Sequence, residues 1–472
     1  MQTKKSQQND QLNSFLIEKA KGVSLVKADQ NLRSSEMRWV TLALMCLSCF
    51  GNYFASDLPQ SMMNPIKTEL GLDVYNYNKI FSVYSIPNVI LPFLGGLIID
   101  SLGVRLAYAI FAFIIVLGQA ITTLGLMQDS FNMMLVGQVV FSLGGDCELV
   151  AKSAMVVKWF RGKELSFALG IGLCIARLGS SLDSFISPKL YIWTNVISAP
   201  FVLGIVLCAF SFFCVVFLNM IDKQADEQDH AQETKKETVK PKLSDFKSFS
   251  LVFYLLILNC GCLYAGFYGF TNNLSDILIT RFGFTQGGST AAGNIIPIIF
   301  FCAVILTPII GGLVDKYGKR ALIMLIACII YLADHFFIAF YPDAPQNHPD
   351  YMAVVMLLGT GVFYSAYAAV FWPCLGLAVK ERLTGIAYGI ALSFQNIVLM
   401  IVPLFLGKLH DNTVNEKGGY FWTQIALAGF VGLGVLATLG IYIQDLRTTK
   451  RLDSPSSNER ERSASELSVA AP

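Results

Sequence analysis

Apolar runs long enough to cross a lipid bilayer recur twelve times along this chain, at about residues 38–57, 77–100, 105–127, 130–157, 165–187, 199–222, 250–272, 288–313, 320–341, 351–377, 384–408 and 420–444. A helix rises 1.5 Å per residue, so about 20 apolar residues match the ~30 Å hydrocarbon core. Charge agrees: Asp, Glu, Lys and Arg make up only 14% of the 472 residues, where a soluble protein carries about a quarter. The pattern predicts an all-α polytopic membrane protein with twelve transmembrane helices.

Charge placement orients it. With both termini in the cytosol, 27 of the 35 Lys and Arg fall in tails and cytosolic loops. Six (Lys67, Lys79, Lys189, Arg281, Lys408, Lys417) fall on the other side, and Lys152 and Arg177 stay within the membrane. That bias follows the positive-inside rule. The net charge of +2 is therefore topological and gives no reason to expect a nucleic-acid partner. All eleven cysteines fall within the expected spans, so no disulfide framework is expected. Cys46-x-x-Cys49 reads as small apolar packing rather than a redox or metal pair. Neither a metal nor a cofactor is expected, and no nucleophile–base set points to an enzyme. Residues 1–37 are polar and charged and lack the form of a cleavable signal.

Composition divides the chain into a cytosolic tail (1–37), a six-helix bundle (38–222), a charged linker (223–249), a second six-helix bundle (250–445) and a polar tail (446–472). The halves also repeat. Gly96-x-x-x-Asp100-x-x-Gly103-x-Arg105 follows the second span, and Gly311-x-x-x-Asp315-x-x-Gly318-x-Arg320 follows the eighth, each paired position offset by 215 residues. Glycine lets helices approach and turn. An Asp at a helix end and an Arg after the turn can pair with neighbouring helices and hold one conformational state. This duplicated loop, with twelve spans in two sixes and a charged central linker, resembles the major facilitator superfamily over nearly the whole chain. The resemblance implies two six-helix bundles around a cavity that opens alternately to either side.

Charges at mid-membrane are costly, about 2.5–3.5 kcal/mol on insertion scales, and usually face a partner or a wet cavity. The fourth span carries Gly144-Gly145-Asp146-Cys147-Glu148-Leu149-Val150-Ala151-Lys152. Glu148 and Lys152, four apart, share a helix face and can pair. Asp146 lies two residues from Glu148, about 200° around the helix, so both acids cannot face one cavity unless Gly144-Gly145 distorts it. Arg177, midway along the fifth span, has no acid at i±3 or i±4, so its partner must be another helix or a substrate. Two readings stay open at this point. One makes Glu148–Lys152 a self-compensating pair and Asp146–Arg177 a bridge between helices. The other has Arg177 grip a carboxylate and an acid hold an ammonium, which suits a zwitterion. Asp57, Asn88, Tyr264, Tyr268, Tyr364, Tyr367, Trp372, Tyr388, Gln395 and Asn396 are weaker polar signals, and Asp334-His335 reads as interhelical bonding rather than a proton relay.

Further stretches resemble a branch of lysosomal dipeptide uniporters within that superfamily: Tyr53-Phe54…Asp57…Pro59, Pro87-Asn88-Val89, Leu143-Gly144-Gly145-Asp146, Trp159-Phe160-Arg161-Gly162-Lys163-Glu164-Leu165, Ala176-Arg177-Leu178-Gly179-Ser180, Trp372-Pro373 and Gly385-Ile386-Ala387-Tyr388-Gly389…Gln395-Asn396. The resemblance implies passage of dipeptides out of the lysosome without ion coupling, with Asp146 and Arg177 holding the two peptide termini. It also allows a single-pass glycosylated accessory subunit. The chain departs from the branch in having Asp rather than Glu at 146 and charges at Glu148 and Lys152; Gln138 replaces an Arg common in the superfamily. Phe15-Leu16-Ile17 resembles a dileucine lysosomal signal lacking its upstream acid, which leaves the plasma membrane as the alternative location. The expected site is thus Arg177 and Asp146, Glu148 and Lys152 as a gating pair, and Asp57, Tyr264, Tyr268, Trp372, Gln395 and Asn396 around them. Carriers of amino acids, organic anions or sugars, or a non-transporting sensor or assembly subunit, are the alternatives.

Overall fold

The computed structural model of the chain describes residues 32–33, 36–160, 165–229, 249–284, 289–345, 347–379, 383–448, 452 and 454. Phe15-Leu16-Ile17, most of the linker and residues 161–164 lie outside these. The first half contains α1 (Met37–Ser48), α2 (Phe50–Ser61), α3 (Met63–Leu70), α4 (Val74–Asn88), α5 (Leu91–Leu102), α6 (Val104–Met127), α7 (Phe131–Phe160), α8 (Leu165–Thr194) and α9 (Ser198–Asp229). The second contains α10 (Leu251–Thr271), α11 (Leu274–Phe282), α12 (Ser289–Ile295), α13 (Ile298–Tyr317), α14 (Arg320–Phe340), α15 (Met352–Leu377), α16 (Thr384–Asn412) and α17 (Tyr420–Arg447).

Among the described residues, 11 helical stretches are long and apolar enough to cross a membrane. The second expected crossing falls short because it is broken between α4 and α5. Pro87 near the end of α4 and Pro92 at the start of α5 each lack the amide that would carry the hydrogen-bond ladder through. Counted with this split helix, the crossings make the expected twelve. α9 continues past the expected end of the sixth span at 222, taking the charged stretch to Asp229 into the helix. Where the repeated loop turns, Gly103 and Gly318 have φ of 82° and 70°, a conformation open to glycine and strained for other residues.

Each half has its own core. Phe54, Tyr77, Phe141 and Phe201 fill the first half at one height and Tyr108, Met155, Val156 and Leu218 at another. Phe267, Tyr331, Phe363, Tyr367 and Val431 belong to the second. Lipid is as apolar as leucine, so membrane helices associate through close fit more than through hydrophobic expulsion. The contact between α6 and α7 shows this. A Cβ on Gly118 or Gly125 of α6 would strike the α7 backbone at Phe141 or Met134, and one on Gly137 or Gly144 of α7 would strike the α6 backbone at Thr122 or Phe111.

The halves meet at one end of the molecule, opposite the end where α1 begins and α9 and α17 finish. There Lys67 pairs with Asp276 at 3.1 Å, and the Tyr420 hydroxyl donates to the same carboxylate at 2.6 Å. Tyr77 donates to the Asn272 carbonyl at 3.1 Å, and Asn78 bonds Asn273 at 3.2 Å. The Asp411 carboxylate of α16 accepts the first two amides of α4, Val74 at 3.3 Å and Tyr75 at 2.9 Å. A helix start has unpaired amides and a positive dipole end, so Asp411 caps a helix of the opposite half.

Substituting Asp411 with Ala removes a capping interaction worth about 0.5–2 kcal/mol, which lowers the sealed-to-open ratio at this end roughly 2- to 30-fold. Spin-label distances between Thr68 and Thr280, both exposed, would report the change. An unaltered distance distribution would mean that Asp411 does not hold the seam.

Candidate functional site

Between the halves lies a cavity of about 360 Å³, within the ~300–1,000 Å³ range of small-molecule sites. On α2, Tyr53, Asp57 and Gln60 line it at i, i+4 and i+7, one helical face. Tyr84 comes from α4, Asp146 from α7 and Arg177 from α8. The second half adds Tyr264 and Tyr268 from α10, Tyr364 and Trp372 from α15, and Gln395 and Asn396 from α16.

Arg177 lies at the boundary of the halves. One guanidinium nitrogen donates to the Tyr364 hydroxyl across the cavity. Its carbon lies 5.2 Å from the Tyr53 ring centroid and 4.8 Å from that of Tyr364, so aromatic faces cradle the cation. Its Nε is buried without a partner. Among the described residues no carboxylate lies within ion-pair distance of it, so the Asp146–Arg177 bridge is not formed here. The protein gives this arginine rings and a phenol but no anion, leaving donors for a ligand.

Asp146 faces the same cavity, half-buried, with Asn396 beside it. α7 stays helical through Gly144-Gly145, so the two acids point apart, as the helix geometry requires. Glu148, only 1% exposed, turns into the first half, where its carboxylate accepts from Asn52 at 2.8 Å. Lys152 is also buried, and its ammonium sits 3.0 Å from where a Gly172 Cβ would be. No Glu148–Lys152 ion pair forms within 4.0 Å: the acid accepts from Asn52, and the lysine stem leans onto α8 beside Gly172. Neither residue lines the cavity, whereas every other expected site residue does. Asp57 presents one carboxylate oxygen with no partner.

Aromatic rings wall the second half of the cavity. Tyr264 and Tyr268 stack at 6.0 Å, as the four-residue spacing allows. Trp372 stacks on Tyr388 at 5.6 Å, and the Tyr388 hydroxyl donates to the Trp372 carbonyl at 2.7 Å, which holds the phenol ring against the indole. Asp334-His335 lies away from the cavity: His335 bonds Gln424 at 2.8 Å, an interhelical bond.

The repeated loops work at the other end of the molecule. Arg105 pairs with Asp226 at 2.9 Å and Asp222 at 3.4 Å, both on α9. Lys158 pairs with Asp222 at 2.6 Å and Asp226 at 2.8 Å, Arg33 bonds Asp226, and the Trp159 indole donates to Asp222 at 2.8 Å. In the second half, Arg320 donates to the Ser454 carbonyl at 2.8 Å and lies 3.9 Å from Asp315. Each repeated arginine thus ties its loop to the end of its half's last helix or the chain just beyond. Gly96 and Gly311 have no atom within 4 Å of a would-be Cβ, and the Asp100 side chain lies outside the described residues.

Several functional candidates were not expected from sequence. Gln60 and Tyr84 join the cavity, and Tyr53 and Tyr364, both noted in the sequence, come together from opposite halves to cradle Arg177. Asp222 and Asp226 carry a signal that could have been read: two acids at i, i+4 ending an apolar helix, opposite basic loops.

Comparison with known proteins agrees with this architecture. The model of the Major Facilitator Superfamily matches residues 45–403 and 286–467. The chain is 31% identical to the lysosomal dipeptide transporter MFSD1 of Bos taurus over 416 residues, 86% of this chain and 85% of that protein. It is 32% identical to the protein of the same name from Danio rerio, over 86% of this chain and 87% of the relative. Among solved structures, the nucleoside transporter NupG superposes with a TM-score of 0.66 at 15% identity, covering 86% of this chain and 99% of that one. A bacterial homolog of the human lysosomal transporter Spinster, inward-facing and occupied, gives 0.63 at 15% identity over 89% and 99%. The chain belongs to the major facilitator superfamily of membrane transporters.

Proposed function

We propose that this transporter carries dipeptides by alternating access, as a uniporter in an endolysosomal membrane with both termini in the cytosol. The observation that carries the reading is Arg177, a guanidinium held in an aromatic cradle with an open donor and, among the described residues, no carboxylate at ion-pair distance, in a cavity that also contains Asp146. A dipeptide presents a carboxylate and an ammonium, and these two residues offer the matching charges. The rings of Tyr264, Tyr268 and Trp372 offer apolar and π surface to its side chains. The seam of Lys67, Asp276 and Asp411 belongs to a state closed to the lumen, which leaves the cytosolic side as the route to the cavity. Arg105 and Arg320 then act at that side, where they stiffen each six-helix bundle so that it moves as a unit. The bovine and zebrafish relatives, both named as lysosomal dipeptide transporters, support the substrate class and the compartment.

Thermal stabilisation of the purified chain tests the reading. Unmodified dipeptides raise Tm, C-terminally amidated dipeptides do not, and N-acetylated ones lose the contribution of Asp146. Stabilisation by free amino acids alone would select an amino-acid carrier. Equal stabilisation by amidated peptides would remove Arg177 from the site.

A further inference from the structure

We infer that Asp183 is a proton-binding site whose occupancy is tied to closure of the lumenal seam. Asp183 sits on α8, six residues beyond Arg177, and is fully buried. One carboxylate oxygen accepts from Ser187 at 2.6 Å and lies 3.1 Å from the Ser61 hydroxyl of α2. The other oxygen is buried and has no partner. No Lys, Arg or His among the described residues lies within ion-pair distance of it. An ionised carboxylate buried in a membrane without a cation is costly, so the form that fits this site is the neutral acid.

The hydroxyl count agrees. Ser61 has one hydrogen, and its oxygen stands 3.1 Å from both the Leu58 carbonyl and Asp183. Ser61 can serve only one of these acceptors at a time, and when it donates to Leu58 a protonated Asp183 can donate to the Ser61 oxygen in turn. The surroundings form a polar ladder of Ser180, Ser184 and Ser187 on α8, facing Asp57 and Ser61 on α2.

The second half covers this turn. A Cβ on Gly293 of α12 would lie 2.6 Å from the Ser184 carbonyl and 3.1 Å from Pro188. Opening the lumenal seam lifts α12 and lets lumenal water reach the ladder, where Asp183 can release its proton to water. Closure buries the carboxyl again and requires the proton back. A ligand that binds one state better shifts the balance toward it; here an acid lumen favours the sealed, cytosol-open state. Asp57 is the titratable neighbour that α2 brings to Asp183, with Arg177 beyond it. α9, α12 and α13 carry no acid, Lys, Arg or His at this height. The seam itself holds Lys67, Asp276, His410 and Asp411.

The inference rests on the alternating-access reading and its orientation, but its test needs no substrate, so it can fail separately from the dipeptide assignment. The full chain, spin-labelled at Thr68 and Thr280 in lipid nanodiscs, is titrated from pH 8 to pH 5. In the wild type the sealed-to-open ratio rises at least tenfold toward acid. In Asp183→Asn, a neutral isostere, the seam stays closed and the shift falls below twofold, while His410→Gln and Asp57→Asn retain it. A wild-type ratio that ignores pH, or an Asp183→Asn variant that keeps the full shift, overturns the inference. So does loss of the shift in His410→Gln or Asp57→Asn alone. A shift driven by sodium at fixed pH and abolished in Asp183→Asn would make this a sodium site and also overturn it.

Discussion

Replacing Arg177 with Ala is expected to weaken dipeptide binding roughly 30- to 1,000-fold while leaving the protein folded. A hydrogen bond to a charged group is worth about 1.5–3 kcal/mol. Removing one partner of a desolvated charge pair costs about 2–5 kcal/mol, since the remaining charge keeps its desolvation penalty. At about 1.4 kcal/mol per tenfold, those figures bracket the expected loss. The fold survives because, among the described residues, no carboxylate forms an ion pair with this guanidinium. What the structure itself loses is the donor to Tyr364 and the ring contacts with Tyr53 and Tyr364, each ring contact worth about 0.5–1 kcal/mol. Arg177→Lys keeps the charge but not the planar fork, so its affinity falls between wild type and Ala. Calorimetric titration with a dipeptide and its C-terminal amide separates the effects. In the Ala variant the two ligands should bind equally weakly. If Arg177→Ala still prefers the free carboxylate by the wild-type margin, another residue reads that terminus.

How much of this was legible depends on whether the signal was local. Spans could be read because bilayer thickness fixes their length, and the break between α4 and α5 could have been read from Pro87 and Pro92. The opposite facing of Asp146 and Glu148 follows from two residues' separation on one helix. Arg177 stood out because the sequence within a turn of it holds no acid. The cradle of Tyr53 and Tyr364 had no such signature: aromatic residues are common in membrane helices, and these two reach Arg177 from helices of opposite halves. The seam was equally hidden. Lys67 and Asp276 are separated by 209 residues and Tyr75 and Asp411 by 336, so nothing near either partner marks the contact. Asp222 closes the expected sixth span and Asp226 falls in the expected linker, and nothing local joins them, because their basic partners lie on α6, α7 and the tail. The failed Glu148–Lys152 pair shows the converse. A favourable i, i+4 spacing permits an ion pair, but here Lys152 extends toward Gly172 of the next helix while Glu148 bonds Asn52.

Gly137→Val is expected to be among the most damaging single substitutions in the chain, removing most folded monomer or costing more than about 3 kcal/mol. Overpacking an ordinary core costs about 1–3 kcal/mol because side chains can shift into other rotamers. Gly137 lacks that escape, since its added Cβ meets the backbone amide and Cα of Thr122. Only separation of the two helices relieves the clash. Gly118, Gly125 and Gly144 hold the same contact from both sides, so separation forfeits dispersion along its whole length. It would also break the Gln138–Thr122 bond, already 3.4 Å long, and displace α7, which carries Asp146 into the cavity. Gly311→Ala is the control. Nothing lies within 4 Å of its would-be Cβ, and alanine is the better helix former by up to about 1 kcal/mol, so stability should hold or rise slightly. Thermal melts and the monomer peak on gel filtration measure both variants in one detergent. A Gly137→Val protein that melts with the wild type would mean that α6 and α7 can part without loss, and close backbone packing would then not be what holds the first half together.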